Sequence, residues 1–423
     1  LDILHTHVAL EALYDSAESF PQPRCHPETR VELLDDLWDQ MQDPETRVVW
    51  LHGPAGAGKS AVMQTLCRRF HNAGILGGSY FFKRNHPTRG KGRVLFATLA
   101  YQLAIFDREL GPAISKMVEN NPLLVATSIA SQLRKLIAKP CLSAKHCTPR
   151  ILLIDGLDEC DGIPIQLEIL RSIFRTFRAH ALPIQIVIAS RPEPEIQGFF
   201  DENMCDGLST MNIEQSFADV ETFLCEEFSR IHREHSTMAR VSSPWPSGDT
   251  LDVLVRNSSG YFTYAATVIN FVDDKDFRPT DQLAIILGHS SSCDALSYKS
   301  LDKLYFQILS QVPERSRPHL LAILALIFTF PDKFSIYELE QLCGLEDGDV
   351  HLTLRRLHSV LAVPSSSEDR IYPIHASFGD FLLNETRSSF FYIGAQERVD
   401  VARSLLRVYT LPLANPQENY PFW

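Results

Sequence analysis

The sequence predicts an α/β fold whose first half is a mostly parallel β-sheet covered by helices on both faces. Strand-like runs alternate with helical segments between residues 46 and 212, which is typical of strands joined by right-handed helical crossovers. The runs are continuously apolar, as a sheet covered on both faces requires. The expected strands are residues 47–51, 78–82, 151–154 and 184–189.

The second half is predicted to be mainly helical. Helical patterns cover residues 217–235 and 250–272, and further helices between 301 and 383 accompany an expected β-hairpin. Helices combined with a hairpin predict a winged-helix domain. A Ser-rich segment at 289–293 marks a domain boundary. The predicted organisation is a helical lead-in (1–45), a sheet domain (46–212), a small helical domain (213–295), a winged-helix-like domain (296–392) and the start of a further helical region (393–423).

Composition and charge exclude several classes of function. The net charge of −12 argues against a general nucleic-acid binder, because neutralising phosphates needs an excess of Lys and Arg. The nine cysteines form no CxxC pair, so a reducing compartment is expected. The longest apolar run, residues 320–330, is shorter than the ~20 residues that span a bilayer. We therefore expect a soluble, cytoplasmic protein that binds neither membrane nor nucleic acid.

A glycine-rich segment follows the first predicted strand and precedes a helical pattern, which is the position of a phosphate-binding loop (P-loop). Its spacing is Gly-x-x-x-x-Gly-Lys-Ser. Glycines let backbone N–H groups turn towards phosphates, and the start of the helix adds the positive end of its dipole. Lys59 is expected to reach the β- and γ-phosphates, and the Ser60 hydroxyl to coordinate Mg²⁺. The residues expected to contact nucleotide are Gly53, Pro54, Ala55, Gly56, Ala57, Gly58, Lys59, Ser60 and Ala61.

An acidic segment ends the third predicted strand. Asp155 follows a buried run, so it is delivered to the carboxyl edge of the sheet, where parallel sheets bind ligands. A carboxylate buried there needs a cation, and Mg²⁺ would supply it. Asp158 and Glu159 come just afterwards, where a carboxylate could orient or deprotonate an attacking water. The alternative is a solvated acidic loop, and the sequence does not decide which carboxylate would act.

Arg191 follows the fourth predicted strand, at the same edge. It could contact the γ-phosphate and so report whether that phosphate is present, or it could be a solvent-facing loop residue. Its strand follows the acidic strand in the chain, which favours a sheet in which a strand lies between the P-loop strand and the acidic strand. The expected fold class is therefore a P-loop NTPase sheet of the ASCE/AAA-like kind.

These elements together resemble the NACHT family of signalling NTPases, within the STAND class, and in particular its fungal members. The resemblance rests on the P-loop, the Asp155-Gly-Leu-Asp-Glu159 segment and Ser190-Arg191-Pro192. Two further signatures contribute, at residues 24–30 and 374–382. The resemblance implies a nucleotide-binding domain, a small helical domain and a winged-helix domain that clamps ADP in the resting state. It implies that His375 contacts the diphosphate and that Thr29 and Arg30 lie near the base or phosphates.

One segment departs from the resembled pattern. Many STAND proteins carry a proline in the helical domain that packs on adenine, and here the matching stretch, residues 259–266, has Phe262 at that position. An aromatic ring could cover the base by stacking. Packing of Tyr261 and Phe262 in a helix core is the alternative.

The leading hypothesis for function is a nucleotide-dependent switch that uses ATP, ADP and Mg²⁺. ADP would hold the closed form, and exchange for ATP would permit opening and self-oligomerisation, with slow hydrolysis resetting the protein. The resemblance implies a role in fungal immunity-like or incompatibility signalling, with effector and sensor domains outside this chain. The alternative is a turnover enzyme, either a P-loop ATPase or a kinase. The choice of ATP over GTP rests on the resemblance alone.

Overall fold

The computed structural model describes residues 1–17, 23–84, 86–144, 148–204, 207–287, 297–331, 333–357 and 359–410. The chain divides into two compact units. The first contains residues 1–223 together with 260–262, and the second contains residues 224–259 and 263–423. The five-part organisation expected from the sequence is finer than this division and stays a prediction. Its boundary at 289–293 lies outside the described residues.

The first unit is built on a parallel sheet of five strands in the order β2-β3-β4-β1-β5. β4 lies between β1, which leads into the P-loop, and β3, which ends in Asp155. The fold class expected from the sequence, with one strand between these two, is therefore confirmed. The strands are β1 (Val48–His52), β2 (Leu76–Phe81), β3 (Arg150–Asp155), β4 (Ile184–Ser190) and β5 (Leu208–Asn212).

Helices cover both faces of this sheet. Successive strand residues point to opposite faces, so Val48 and Trp50 join one hydrophobic core whereas Val49 and Leu51 join another. This is why β1, β3 and β4 contain continuous apolar runs. The helices are α1 (Asp2–His5), α2 (Val31–Gln42), α3 (Lys59–Asn72), α4 (Leu95–Phe106), α5 (Leu110–Asn120), α6 (Ile129–Gln132), α7 (Lys139–Ser143), α8 (Ile163–Ala179) and α9 (Pro194–Glu202), and α10 (Phe217–Glu234) continues into the second unit.

The second unit is mainly helical. Its one strand pair, β6 (Leu361–Ala362) and β7 (Tyr372–Pro373), is antiparallel among the described residues and forms the expected hairpin. Within that part of the chain no helix is long and apolar enough to cross a membrane. Its helices are α11 (Gly248–Ser258), α12 (Phe262–Val272), α13 (Pro279–Leu287), α14 (Ser297–Ser310), α15 (Arg317–Thr329), α16 (Ile336–Cys343), α17 (Asp349–Leu354), α18 (Ala376–Leu382), α19 (Glu385–Ser388) and α20 (Ala395–Thr410).

Two elements differ from the sequence-based expectation. β5 was not predicted, because its residues are only partly buried and lack the continuous apolar run of the other strands. The helix expected over residues 250–272 is two helices, α11 and α12. They are separated at Ser259 and Gly260, which have φ of 51° and 73° and so leave the right-handed helical region.

Candidate nucleotide site

The P-loop residues 53–58 turn the chain from β1 into α3. Gly56 and Gly58 have φ of 81° and 90°, a conformation that glycine adopts far more easily than other residues. A Cβ added to Gly58 would meet no atom within 4 Å, so the space beside the loop is open. The loop therefore has the backbone and the room of a phosphate site.

The amino terminus of α3 is open to an anion. Gly58 precedes the helix and has no side chain that could cap its first N–H groups. The first turn contains no acidic residue that would compete for them. Unpaired N–H groups and the helix dipole together attract phosphate oxygens.

Lys59 lies inside the loop. Its Nζ donates hydrogen bonds to the carbonyl oxygens of Gly53, at 2.7 Å, and Pro54, at 2.8 Å. Burial lowers the pKa of Lys59, and the charges of Asp158 and Asp155 partly oppose that shift. The ammonium group is thus held within the P-loop, in the field of the acidic residues that follow β3.

Asp155 ends β3 and is 4% exposed. The Ser60 side chain hydrogen-bonds to its carboxylate, but among the described residues its Oδ1 has no hydrogen-bond partner. Burial raises the pKa of Asp155 to about 7, and the nearby charge of Glu159 adds to the effect. A buried carboxylate oxygen without a partner beside a serine hydroxyl fits a divalent cation, which prefers oxygen ligands. The residues expected to hold Mg²⁺ therefore lie together.

Asp158 and Arg191 form an ion pair across neighbouring strands. The Oδ1 atom of Asp158 accepts a hydrogen bond from the Arg191 backbone N–H at 2.9 Å. The Oδ2 atom of Asp158 lies 3.3 Å from Arg191 Nε. Arg191 follows β4, the strand next to the P-loop strand, and its side chain is 16% exposed. The arginine is thus a largely buried, oriented group at the carboxyl edge rather than a solvent-facing loop residue.

Glu159 is oriented by a different neighbour. Its Oε2 atom accepts a hydrogen bond from the backbone N–H of Arg84 at 3.1 Å. Burial raises the pKa of Glu159, and the charge of Asp158 raises it further. Arg84 belongs to the loop after β2, on the opposite side of β3 from Arg191. The two consecutive carboxylates therefore have partners on opposite sides of the acidic strand.

Arg30 and Phe262 lie on the outer side of the P-loop. Arg30 donates hydrogen bonds to the carbonyl oxygens of Glu214, at 2.9 Å, and Ala57, at 3.4 Å, so it contacts the loop backbone directly. Its guanidinium carbon lies 5.5 Å from the centre of the Phe262 ring, a cation–π distance. Thr29 donates a hydrogen bond to the His26 carbonyl within its own loop. The expected contacts of Thr29, Arg30 and Phe262 with nucleotide stay predictions.

His375 lies in the second unit and precedes α18. Its Nδ1 atom accepts a hydrogen bond from the Ser377 N–H at 3.1 Å, and the Ser377 hydroxyl is 2.7 Å away. The Ser377 hydroxyl also lies 2.7 Å from that of Tyr305. Because Nδ1 accepts, a neutral His375 ring carries its proton on Nε2, the nitrogen that could donate to a phosphate. Its contact with nucleotide stays a prediction.

The structure adds residues that the sequence did not single out. Arg84 orients Glu159, and Trp50 Nε1 donates a hydrogen bond at 2.8 Å to the Ser190 hydroxyl, which joins the P-loop strand to β4. The Oδ2 atom of Asp219 lies 3.8 Å from Arg30 Nε, an ion-pair distance. The basic pair Lys83-Arg84 at the end of a predicted strand was a signal for the first of these, because every strand of a parallel sheet ends at the same edge. The other two contacts have no local sequence signal.

Part of the chain matches a known protein family. Residues 30–191 match the family model described as Nephrocystin 3, N-terminal, and this segment contains the P-loop, the acidic strand and Arg191. No curated protein matches the chain.

Similar solved structures have low sequence identity to the chain. One is a STAND protein with a tetratricopeptide-repeat sensor from Pyrococcus horikoshii, with 14% identity and a TM-score of 0.48 over 92% of this chain and 47% of that one. The present chain thus spans about half of that protein. The ORC1 protein of Aeropyrum pernix in complex with DNA has 14% identity and a TM-score of 0.40 over 92% of this chain and 96% of that one. Residues 30–191 are therefore similar to the Nephrocystin 3 N-terminal family, and the parallel five-stranded sheet has the fold of P-loop NTPases.

Proposed function

We propose that this protein is an ATP/ADP-binding signalling switch that hydrolyses ATP slowly and requires Mg²⁺. The observation that carries the proposal is the arrangement at one sheet edge. Lys59, the Ser60–Asp155 pair and the Asp158–Arg191 pair all lie at the carboxyl ends of β1, β3 and β4. Lys59 would bind phosphate, Ser60 and Asp155 would bind the cation, and Arg191 would sense the γ-phosphate. We infer the preference for adenine over guanine from the resemblance to NACHT proteins alone.

The P-loop residues would bind the phosphates of the nucleotide. The backbone N–H groups at the start of α3 would donate to phosphate oxygens, and Lys59 would exchange its contacts with Gly53 and Pro54 for the β- and γ-phosphates. Ser60 and Asp155 would hold Mg²⁺, which supplies charge neutralisation at the phosphates. Arg30, which contacts the P-loop carbonyl of Ala57, would fix the loop and the adjoining residues Tyr261 and Phe262 near the base.

The switch requires a group that distinguishes ATP from ADP, because a ligand shifts a conformational equilibrium only through its differential affinity for the two forms. Arg191 would supply that difference by contacting the γ-phosphate. His375 would favour the ADP-bound form through its Nε2–H group. Exchange of ADP for ATP would then permit opening and self-oligomerisation.

The biological setting of the proposal follows the resemblance to fungal NACHT proteins. It comprises a cytoplasmic location, a role in immunity-like or incompatibility signalling, and effector and sensor domains outside this chain.

Nucleotide content and turnover test the proposal. We expect the purified protein to retain ADP, to bind ATP only with Mg²⁺ present, and to hydrolyse ATP well below the ~1 s⁻¹ typical of dedicated enzymes. Chromatography of denatured protein measures the first, calorimetry the second and phosphate release the third. Turnover well above ~1 s⁻¹ would favour an ATPase or kinase instead. Protein that binds neither nucleotide would contradict the proposal.

A further inference from the structure

We propose that Tyr305 and Ser377 are positioning residues for His375. Hydrogen bonds from Tyr305 through Ser377 hold the imidazole ring with its proton on Nε2 and fix the direction in which that N–H group points. The inference rests on the proposed function, in which His375 donates to the diphosphate of ADP, and deepens it by naming the groups that prepare the histidine. All three residues belong to the second unit.

The direction of these hydrogen bonds follows from a donor that cannot accept. The backbone N–H of Ser377 lies 3.1 Å from His375 Nδ1, and an N–H group can only donate, so Nδ1 carries no proton. The Ser377 hydroxyl lies 2.7 Å from the same nitrogen and must therefore donate its proton to it. The Ser377 oxygen is then an acceptor for the Tyr305 hydroxyl, which is 2.7 Å away. Tyr305 O–H thus donates to Ser377, and Ser377 O–H donates to His375.

Tyr305 is a fixed donor that keeps its proton. Its side chain is 1% exposed, and its ring centre lies 5.1 Å from that of Phe378 and 5.5 Å from that of Phe381. Burial raises the pKa of Tyr305, so the hydroxyl stays protonated at physiological pH. Ser377 is equally buried, so solvent has little access to its hydroxyl. The two hydroxyl groups therefore have each other and the histidine as partners.

Aromatic packing alone does not explain the hydroxyl of Tyr305. A phenylalanine would keep the same ring contacts, and a buried hydroxyl is costly unless it is hydrogen-bonded. The group that satisfies it is the serine bound to His375, which is itself only half-buried. The hydrogen bond at one ring nitrogen decides which nitrogen of a histidine carries the proton. A ring held in one tautomer and one orientation loses less freedom when its Nε2–H group meets an anion.

The helix that contains Tyr305 has a second anchor. Asp302, about one turn earlier on α14, pairs with Arg387 of α19. Arg387 Nη2 lies 2.7 Å from Asp302 Oδ1, and Arg387 Nε lies 2.9 Å from Asp302 Oδ2. A two-point contact between a guanidinium and a carboxylate fixes their relative orientation as well as their distance. Because α14 is joined to α18 through Ser377 and to α19 through Arg387, the Tyr305 hydroxyl has a defined position beside the histidine.

Tyr305→Phe tests the inference because it removes the hydroxyl and keeps the ring. We expect ADP to dissociate about 2–5-fold faster, a smaller change than His375→Ala gives, because a less well oriented donor costs less than a lost one. Ser377→Ala should act in the same direction. Tyr337→Phe removes an exposed hydroxyl from α16 and is the matched control, with an unchanged rate. Stopped-flow release of a fluorescent ADP analogue measures the rates, and near-ultraviolet circular dichroism shows that each variant is folded.

Nitrogen NMR of isotope-labelled histidine gives a readout that a merely structural role would not change. In the parent without nucleotide, the His375 signals, assigned by their loss in His375→Ala, should show a proton on Nε2 and none on Nδ1. Tyr305→Phe and Ser377→Ala should each increase the fraction of rings with the proton on Nδ1. A double-mutant cycle adds a second readout. If Tyr305 acts through His375, Tyr305→Phe should not change ADP release further in a His375→Ala background.

Two results would overturn the inference: parental tautomer signals in both Tyr305→Phe and Ser377→Ala, or an equal effect of Tyr305→Phe on ADP release with and without His375. The tautomer is measured without nucleotide, so a parent that binds no ADP would contradict the proposed function and leave this test in place. An altered tautomer together with equal ADP release in His375→Ala and the parent would uphold the positioning and contradict the contact with the diphosphate.

Discussion

A buried aspartate lies at each end of β3, Asp107 from the end of α4 and Asp155 from the strand itself, and their partners differ. At the amino end, Asp107 is 3% exposed and pairs with Arg150, the first residue of the strand, at 3.0 Å. It also accepts hydrogen bonds from the backbone N–H groups of Glu109 and Leu110. Burial alone would raise the pKa of Asp107, but these hydrogen bonds outweigh it and lower the pKa.

At the carboxyl end, Asp155 is 4% exposed but has few partners. The Ser60 side chain forms a hydrogen bond with its carboxylate, but its Oδ1 atom has no hydrogen-bond partner among the described residues. Its pKa is raised to about 7 because burial dominates. The two aspartates are similarly buried, but hydrogen bonds stabilise the charged form of Asp107 whereas burial destabilises the charged form of Asp155. An unstabilised carboxylate is what a cation-binding site needs, because the cation supplies the missing partner.

Lys59→Arg should have the largest effect on nucleotide binding of any change at the carboxyl end. A guanidinium group is too large and planar to take the place of an ammonium inside the loop. Charge-assisted hydrogen bonds contribute ~1.5–3 kcal/mol each, so losing two predicts a fall in ATP affinity of ~100-fold or more. Calorimetry with Mg²⁺ and ATP measures it. Unchanged affinity would show that the phosphates bind elsewhere.

Replacing each aspartate by asparagine should give opposite results at the two ends of β3. Asp155→Asn should raise the free energy of unfolding at pH 8 by ~1–3 kcal/mol, because a poorly partnered buried charge is removed. It should also weaken ATP binding in the presence of Mg²⁺, because a ligand of the cation is lost.

Asp107→Asn is the matched control. It should lower the free energy of unfolding by ~1–3 kcal/mol and leave ATP affinity unchanged. Urea unfolding and calorimetry measure both variants. A loss of stability in both variants would contradict the contrast between the two ends.

The pH dependence of stability should separate the two aspartates further. Between the unfolded carboxyl pKa of about 4 and about 7, the folded protein binds more protons at Asp155 than the unfolded chain does. Asp155 therefore makes the free energy of unfolding fall as pH rises through this range, by up to ~1.4 kcal/mol per pH unit. Asp107 acts in the opposite direction, because its stabilisation is present above the unfolded pKa and is lost as pH falls through its lowered folded pKa. Unfolding titrations of the parent and Asp155→Asn without nucleotide should differ between pH 5 and 7, and identical curves would remove Asp155 as the cause.

Of these substitutions, His375→Ala should have the smallest effect on nucleotide binding. If Nε2–H of His375 donates to the diphosphate, its loss removes one hydrogen bond, and ADP should dissociate ~3–10-fold faster. Stopped-flow release of a fluorescent ADP analogue measures the rate. Equal rates in variant and parent would exclude His375 from the nucleotide site and restrict the ligand groups to the sheet edge.

The sequence alone determined the P-loop, the apolar strands and the acidic end of β3. These features are local: a spacing of glycines, a run of apolar residues or a residue directly after a strand specifies each one. β5 was missed because a half-buried edge strand needs no continuous apolar run. The turn at Ser259 and Gly260 was missed because its backbone conformation interrupts a pattern that remains apolar on both sides.

Only the tertiary structure decided what each charged residue contacts. Asp158 and Arg191 are 33 residues apart, and Arg30 meets the carbonyl of Ala57 from 27 residues away. Such pairs form because strand order and helix packing bring distant chain segments together, which no local spacing encodes. For the same reason the sequence could place Asp155 at the end of a strand, but could not show that Asp107 pairs with the other end of that strand. Nor could it show that hydrogen bonds stabilise Asp107 whereas Asp155 Oδ1 has no partner among the described residues.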